Sequence, residues 1–310
     1  MKKKRAIIIG VSIVLLVAIL VVVLVLVVPS RPSVGKIAVI PLSGTITSAD
    51  SSLLSGSTIT PELVRDYLAR VEKDKAVKAI VFHIESPGGE IAPSQEILWE
   101  IERVKETKPI VVSMGGTAAS GGYYISTQAD KIVALPTTMT GSIGVISAIP
   151  NIEGLLEKLG IQIEIFKGGK YKDMYQGLRE LTPEEEEIMQ QMIDEYYEQF
   201  IDVVAEGRKL SREEVRDLAT GQIYTGTEAK ELGLVDELGD LNTAIDLAAE
   251  LAGIEAPIVE YYQPPGLTLW SLLGFVDAIQ LRLSGLSAQD IILLEILSHN
   301  YPQPRFLYQS

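Results

Sequence analysis

Ser120 sits in the run MGGTAASGGYY (114–124), between small residues and a glycine pair. A serine at the start of a helix gains from the helix dipole, and small neighbours let a substrate backbone approach. The chain has no cysteine and two histidines, His83 and His299. A thiol nucleophile is therefore excluded, and a Ser–His–Asp arrangement has few candidates. His83 lies in the apolar run KAIVFHI, where a packed sheet-end ring is expected. His299 lies in a Pro-containing tail, where a surface position is expected. The remaining choice of base is a lysine, which must be partly desolvated to be neutral near pH 7. The stretch GGKYKDM (168–174) offers two, Lys170 and Lys172.

Two further small-residue turns accompany Ser120-Gly121-Gly122. They are Ser86-Pro87-Gly88-Gly89 and Thr140-Gly141-Ser142-Ile143-Gly144. Such turns are ordinary places for glycine with positive φ. Backbone amides of a Pro-Gly-Gly turn can also converge on a developing oxyanion.

The elements that must carry these turns are strands alternating with helices. Strands are expected at Lys36–Pro41, Lys78–Ile84, Pro109–Met114, Lys131–Ala134 and Ile161–Phe166. Helices are expected at Pro61–Val71 with Thr60 as N-cap, at Ser94–Thr107, and over GGYYIST after Ser120. Residues 182–206 carry a capping threonine, Pro183 and an acidic first turn. A wide apolar stripe from Ile188 to Val204 then fits the core or an oligomer contact. Ser211–Glu214 reads as a capping box, and Thr227 as the cap of a helix ending near Gly233. The alternation predicts an α/β protein with largely parallel strands, whose sites form on loops at the strand ends.

The N-terminus is a separate object. Residues 2–5 are basic, and Ala6–Val28 is an uncharged run of 23 residues stopped by Pro29. As a helix it would be about 34 Å long, enough to cross a bilayer. Its length and the absence of a small-residue cleavage site point to an uncleaved anchor, the alternative being a secretory signal. The positive cluster would stay cytoplasmic, placing the rest on the outer face of the cell membrane. The organisation read is thus 1–5 cytoplasmic, 6–28 transmembrane, 29–35 linker, 36–253 catalytic domain and 254–310 C-terminal appendage. The formal net charge is −14, and setting aside the four cations of residues 2–5 leaves −18. So acidic a body disfavours nucleic acid as a partner. Two scattered histidines and no cysteine offer no zinc cluster, and no cofactor is expected.

Five motifs in order, SPGG (86–89), ASGGYY with its trailing AD (119–130), TGSIGV (140–145), GGKYKD (168–173) and GQIYTGTEAKELGLVDELG (221–239), resemble the signal peptide peptidase A type. That is a family of the Clp protease/crotonase superfamily, here in its short, single-domain form. The resemblance runs from about Lys36 to Leu251. It implies a Clp protease/crotonase-like core of parallel strands with surrounding helices.

It further implies Ser120 as nucleophile and Lys172 as general base, with Ser142 as a second serine bonded to the lysine ammonium. The amides of Gly88 and Gly121 would form the oxyanion hole, leaving Lys170 as a flanking residue. Single-domain members are expected to form rings whose dyads are completed between adjacent protomers. The implied activity is acyl transfer on apolar peptides such as cleaved signal peptides. Other readings are a processing protease dedicated to one membrane partner, acyl-CoA chemistry on the same scaffold, or a non-catalytic ring. An anchor facing outward separates the chain from CoA, and the joint presence of both serines, the lysine and the glycine turns favours catalysis.

Overall fold

The computed structural model describes residues 34–48, 57–262 and 305–307. The basic segment, the Ala6–Val28 run, most of the linker, His299 and most of the appendage lie outside the described residues. Among the described residues no helix is long and apolar enough to cross a membrane.

The chain opens with β1 (Val34–Ser43), β2 (Thr45–Ile46), β3 (Thr58–Ile59) and α1 (Pro61–Lys73). It continues with β4 (Val77–Ser86), β5 (Gly88–Glu90), α2 (Ile91–Lys105), β6 (Ile110–Ala119) and α3 (Gly121–Tyr124). After β7 (Lys131–Ala134) and β8 (Met139–Gly141) come α4 (Glu153–Leu159), α5 (Pro183–Arg208) and α6 (Arg212–Leu218). The C-terminal part holds β9 (Ile223–Thr225), α7 (Gly226–Glu231), β10 (Glu237–Leu238), α8 (Leu241–Leu251), β11 (Ala256–Tyr261) and β12 (Arg305–Leu307).

The main sheet runs β10-β7-β6-β4-β1-β11, every neighbouring pair parallel, with β8 joined to the end of β6 and β9 antiparallel to β8. β-Branched residues on both faces of its strands make this a sheet buried on both sides. On one face Ile80, Phe82, Val112 and Met114 pack with Leu68 of α1, Leu98 of α2 and Phe200 of α5. On the other, Val39, Val81, Val111 and Val133 meet Ala244, Ile245 and Ala248 of α8. The mixed α/β architecture with a parallel sheet is the one the sequence predicts.

Several boundaries shift. Strand β1 begins at Val34, inside the expected linker, because it pairs with β11 from Val34↔Ala256 onward. The helix expected over GGYYIST is only α3, four residues, followed by turns. The helix expected from Thr227 starts at Gly226, and its cap is Thr225, whose side chain accepts from the Glu228 amide in a capping box. Residues 161–166 form no strand: they are exposed throughout, with Phe166 91% accessible.

Candidate active site

Strand β6 delivers Ser120 to the mouth of the sheet, and the serine is the N-cap of α3 with φ 54° and ψ −118°. That backbone region is unfavourable for a residue with a Cβ and is typical of strained functional turns. Its amide donates to the Gly141 carbonyl at 2.8 Å, and its carbonyl accepts from the Tyr124 amide at 2.8 Å. The side chain is 1% exposed, and its Oγ has no hydrogen-bond partner among the described residues. A buried hydroxyl without a partner forfeits its hydration, so the site holds it at a cost.

The two glycines after Ser120 are explained by close approach. A Cβ on Gly121 would lie 3.1 Å from the Gly89 nitrogen and 3.2 Å from the Gly88 Cα; one on Gly122 would lie 2.8 Å from the Ser86 carbonyl oxygen. The SPGG turn and the start of α3 are therefore in contact. Tyr123 and Tyr124 fasten α3 from below. Tyr123 donates to the Leu234 carbonyl at 3.0 Å, and Tyr124 stacks edge-on with Phe200 at 5.0 Å between centroids. The Gly88 amide, at φ 101°, donates to Ser86 Oγ at 3.2 Å, and Ser86 Oγ donates to the Gly44 carbonyl at 2.7 Å. Glu85 braces the end of β4 against β6, accepting from the Gly116 and Thr117 amides at 2.7 and 2.9 Å where the β4–β6 ladder shifts register. Neither Ser86 nor Glu85 was singled out by the sequence reading. The Ser-Pro-Gly-Gly motif points at the turn but not at which side chain braces it.

Beside the glycine turn lies β12, antiparallel to β5 with Leu307 opposite Gly88 and Arg305 opposite Glu90. A segment of the tail thus occupies the free edge of the strand that carries the glycine turn.

Ser142 follows Gly141, so its position is tied to Ser120 through the 2.8 Å bond between the two turns. It has φ 50°, is 7% exposed, and its amide donates to the Gln222 carbonyl at 2.8 Å. Of the three described non-glycine residues with positive φ, two are Ser120 and Ser142; the third, Lys209, is a helix C-cap. His83 is engaged elsewhere, its Nδ1 3.3 Å from Ser113 Oγ on the neighbouring strand.

The two lysine candidates differ in their surroundings. Lys170 forms an ion pair with Glu184, and that contact, followed by the one to Tyr171, holds its ammonium above the usual lysine range. A lysine so paired is a poor base. Lys172 is exposed and makes no side-chain hydrogen bond or ion pair among the described residues. No hydrogen bond joins it to Ser120 among the described residues.

The residue after it is buried instead. Asp173, 5% exposed, accepts from Arg179 Nε and Nη2 at 3.1 and 2.9 Å and pairs with Lys167. Arg179 turns its other edge to Glu185, 2% exposed, at 2.7 and 2.8 Å. Glu185 also closes the capping box of α5 with Thr182. The Arg179 guanidinium, then the Lys167 ammonium, hold the Asp173 carboxyl well below its ordinary range. Arg179 and the Thr182 amide do the same for Glu185. Sequence reading missed this cluster, because spacings of six residues on either side of Arg179 carry no periodic signal. Among the described residues no group of three or more His, Asp or Glu side chains is placed to hold a metal ion.

Comparison with known proteins matches residues 102–255 to the model of peptidase family S49, a span holding Ser120, Ser142, Lys170 and Lys172. Residues 55–143 match the Clp protease model, which fits the parallel sheet. A putative protease of Synechocystis sp. is 43% identical over 73% of this chain and 77% of its own. A putative signal peptide peptidase SppA of Enterococcus faecium is 40% identical over 73% and 67%, respectively. Protease 4 of Salmonella typhi is 38% identical over 88% of this chain, which spans 46% of that longer protein. With a strained, sequestered serine inside the matched region, the chain belongs to peptidase family S49 as a serine peptidase.

Proposed function

We propose that this chain is a membrane-anchored endopeptidase of the signal peptide peptidase type, cleaving apolar peptides such as signal-peptide remnants with a Ser120–Lys172 dyad completed between protomers of a ring. The observation that carries the reading is complementary incompleteness. Ser120 Oγ is buried without a partner, while Lys172 is an unpaired ammonium on an exposed stretch. That stretch, with Leu159, Ile161, Ile163 and Phe166 open to solvent, is too apolar to be a free surface and suits contact with a second copy.

The chemistry then follows. Neutral Lys172 Nζ removes the hydroxyl proton as Ser120 Oγ bonds to the peptide carbonyl carbon. Negative charge moves to the carbonyl oxygen, where the Gly88 and Gly121 amides would donate to it. For Gly88 this means exchanging its bond to Ser86 Oγ for one to substrate. The ammonium returns the proton to the leaving amine as the C–N bond breaks. Water, deprotonated by the same lysine, then cleaves the ester. Ser142 is positioned through Gly141 to hold the ammonium between these steps. The edge of β5, where β12 lies as an antiparallel strand, supports an extended substrate bound by backbone hydrogen bonds.

The test is hydrolysis of apolar peptides by full-length protein, alongside Ser120→Ala and Lys172→Ala variants. Each variant should lose activity, and a mixture of the two should regain part of it, since a mixed ring holds some intact dyads. Full activity in Lys172→Ala would overturn the dyad, and a Ser120 that never reacts with a fluorophosphonate probe would favour a non-catalytic scaffold. Cleavage of a single sequence in a peptide library would favour a dedicated processing protease.

A further inference from the structure

We propose that Arg179 is a positioning residue for the base: it fixes the Lys172 turn to the first turn of α5 and neutralises the carboxylate next to Lys172. The inference rests on the dyad reading above. It is carried by the contacts of the turn's two flanks. On one side of Lys172, Lys170 pairs with Glu184; on the other, Asp173 is held through Arg179 to Glu185. Glu184 and Glu185 are consecutive residues in the first turn of α5, so both flanks are tied to one helical platform.

The next anchor is Gly177. Its carbonyl accepts from the Ile152 amide at 2.9 Å, and at φ 66° a Cβ there would lie 2.1 Å from the Pro150 carbonyl oxygen. Between these fixed points, Lys172 is the one charged side chain left exposed and unpaired among the described residues. A side chain that must reach a hydroxyl on another protomer gains from such an arrangement, because misplacement by about 1 Å can cost on the order of 100-fold in rate.

Stability alone explains the cluster poorly. Withdrawing an arginine and two carboxylates from water costs about as much as their attraction returns, and apolar packing would serve the core as well. What the ions provide is directional: the planar guanidinium grips one carboxylate along each edge, at four distances between 2.7 and 3.1 Å. The electrostatic part follows from adjacency. An uncompensated Asp173 would favour the charged form of the neighbouring lysine, the wrong form for a base. Arg179 and Lys167 face Asp173 directly; Glu185 faces Arg179; Lys170 and Tyr171 both meet Glu184 beside them. Removing Arg179 leaves two carboxylates against the single cation Lys167.

The experiment compares Arg179→Met, Arg179→Lys and the double variant Asp173→Asn/Arg179→Met as full-length protein, with pH–rate profiles and melting curves. For Arg179→Met we expect kcat to fall about 10- to 100-fold with KM within twofold. The ascending limb of the profile should move to higher pH. In the double variant that limb should return toward its original place while kcat stays low, separating charge from geometry. Arg179→Lys keeps the charge and loses the fork, so its limb should stay and its kcat should fall. A wild-type limb in Arg179→Met, with activity lost only in proportion to unfolded protein, would overturn the inference. If Arg179→Met does not fold, wild-type kcat in Arg179→Lys would overturn it instead. Lys172→Ala keeps the two levels apart. Full activity there removes the dyad and this inference together; an inactive Lys172→Ala beside an unaltered Arg179→Met removes only the inference.

Discussion

The amide of Ser120 donates to the carbonyl of Gly141 at 2.8 Å, which joins the Ser120 turn to the turn bearing Ser142. The bond continues the parallel β6–β8 ladder, whose last pair is Ala119↔Gly141, by one residue into the site. Gly141 has φ +73°, and a Cβ there would lie 2.6 Å from the Tyr224 ring. Gly141→Ala should therefore cost about 2 kcal/mol or more, from left-handed strain and overpacking together. In a domain of this size that is roughly a 5 °C fall in Tm. Fluorophosphonate labelling of Ser120 should slow in the folded fraction as well. Unchanged labelling with a lowered Tm would mean that the ladder stabilises the fold without aligning the serine.

Ser120 itself should be a place where stability is given up for function. Its φ of 54° strains any residue with a Cβ, and its hydroxyl is buried without a partner. Ser120→Ala removes the second cost and keeps the first; Ser120→Gly removes both. The expected order of Tm is glycine above alanine above serine, with about 1 kcal/mol for each step and no hydrolysis in either variant. Differential scanning calorimetry gives the order directly. A serine protein more stable than both variants would show that the hydroxyl is satisfied in the assembled enzyme.

Much of this arrangement is legible in the sequence where the cause is local. Thr60, Pro61, Thr182 and Pro183 mark helix starts because capping and proline preferences act over four residues. Thr225 was equally readable: Thr225-x-x-Glu228 fits the capping box, whereas Thr227 has Lys230 three residues on. What fails is whatever needs a distant partner. The alternation Ile161-Gln162-Ile163-Glu164-Ile165 has strand periodicity, but among the described residues it meets no neighbour to pair with. The sequence pattern ends β6 at Met114, before Gly115-Gly116. The strand nevertheless runs to Ala119, because Glu85, 31 and 32 residues before Gly116 and Thr117, accepts their amides at a register shift. In the same way Ser120 and Lys172 could each be picked out by type and motif. That no hydrogen bond joins them among the described residues is a property of packing, which no local spacing encodes.

The Arg179 cluster sets an acid limit on the Lys172 turn. Asp173 and Glu185 both have carboxyls held below their ordinary values of 3.8 and 4.5, so each is more easily kept ionised folded than unfolded. A depressed folded value gives stability that is fully present above the unfolded value and is lost as pH falls through the folded one. For Glu185 the folded value is about 2, so its share declines from pH 4.5 downward. Arg179→Met should be less stable than wild type at pH 6, and the difference should be smaller at pH 3. Urea unfolding at both values tests this, and a difference that does not change with pH would place these carboxylates outside the stability of the fold.

The tail strand gives the last prediction. Strand β5 has two edges: one pairs with β2 through Ile46↔Gly89, and the other pairs with β12. A peptide substrate that binds as a strand beside Gly88 must take the second edge, because the Gly89 Cα already lies against the backbone of Ile46 on the first. Residues 305–307 therefore compete with substrate from within the chain, and deleting residues 305–310 should lower KM for short apolar peptides. Because Ser120, Gly121 and the Lys172 turn lie outside the deleted segment, kcat at saturation should change less than twofold. An added synthetic peptide of residues 301–310 should raise KM again in the truncated enzyme, as a competitive inhibitor does. If truncation leaves KM unchanged, substrate does not use the β5 edge, and the extended binding mode fails with it.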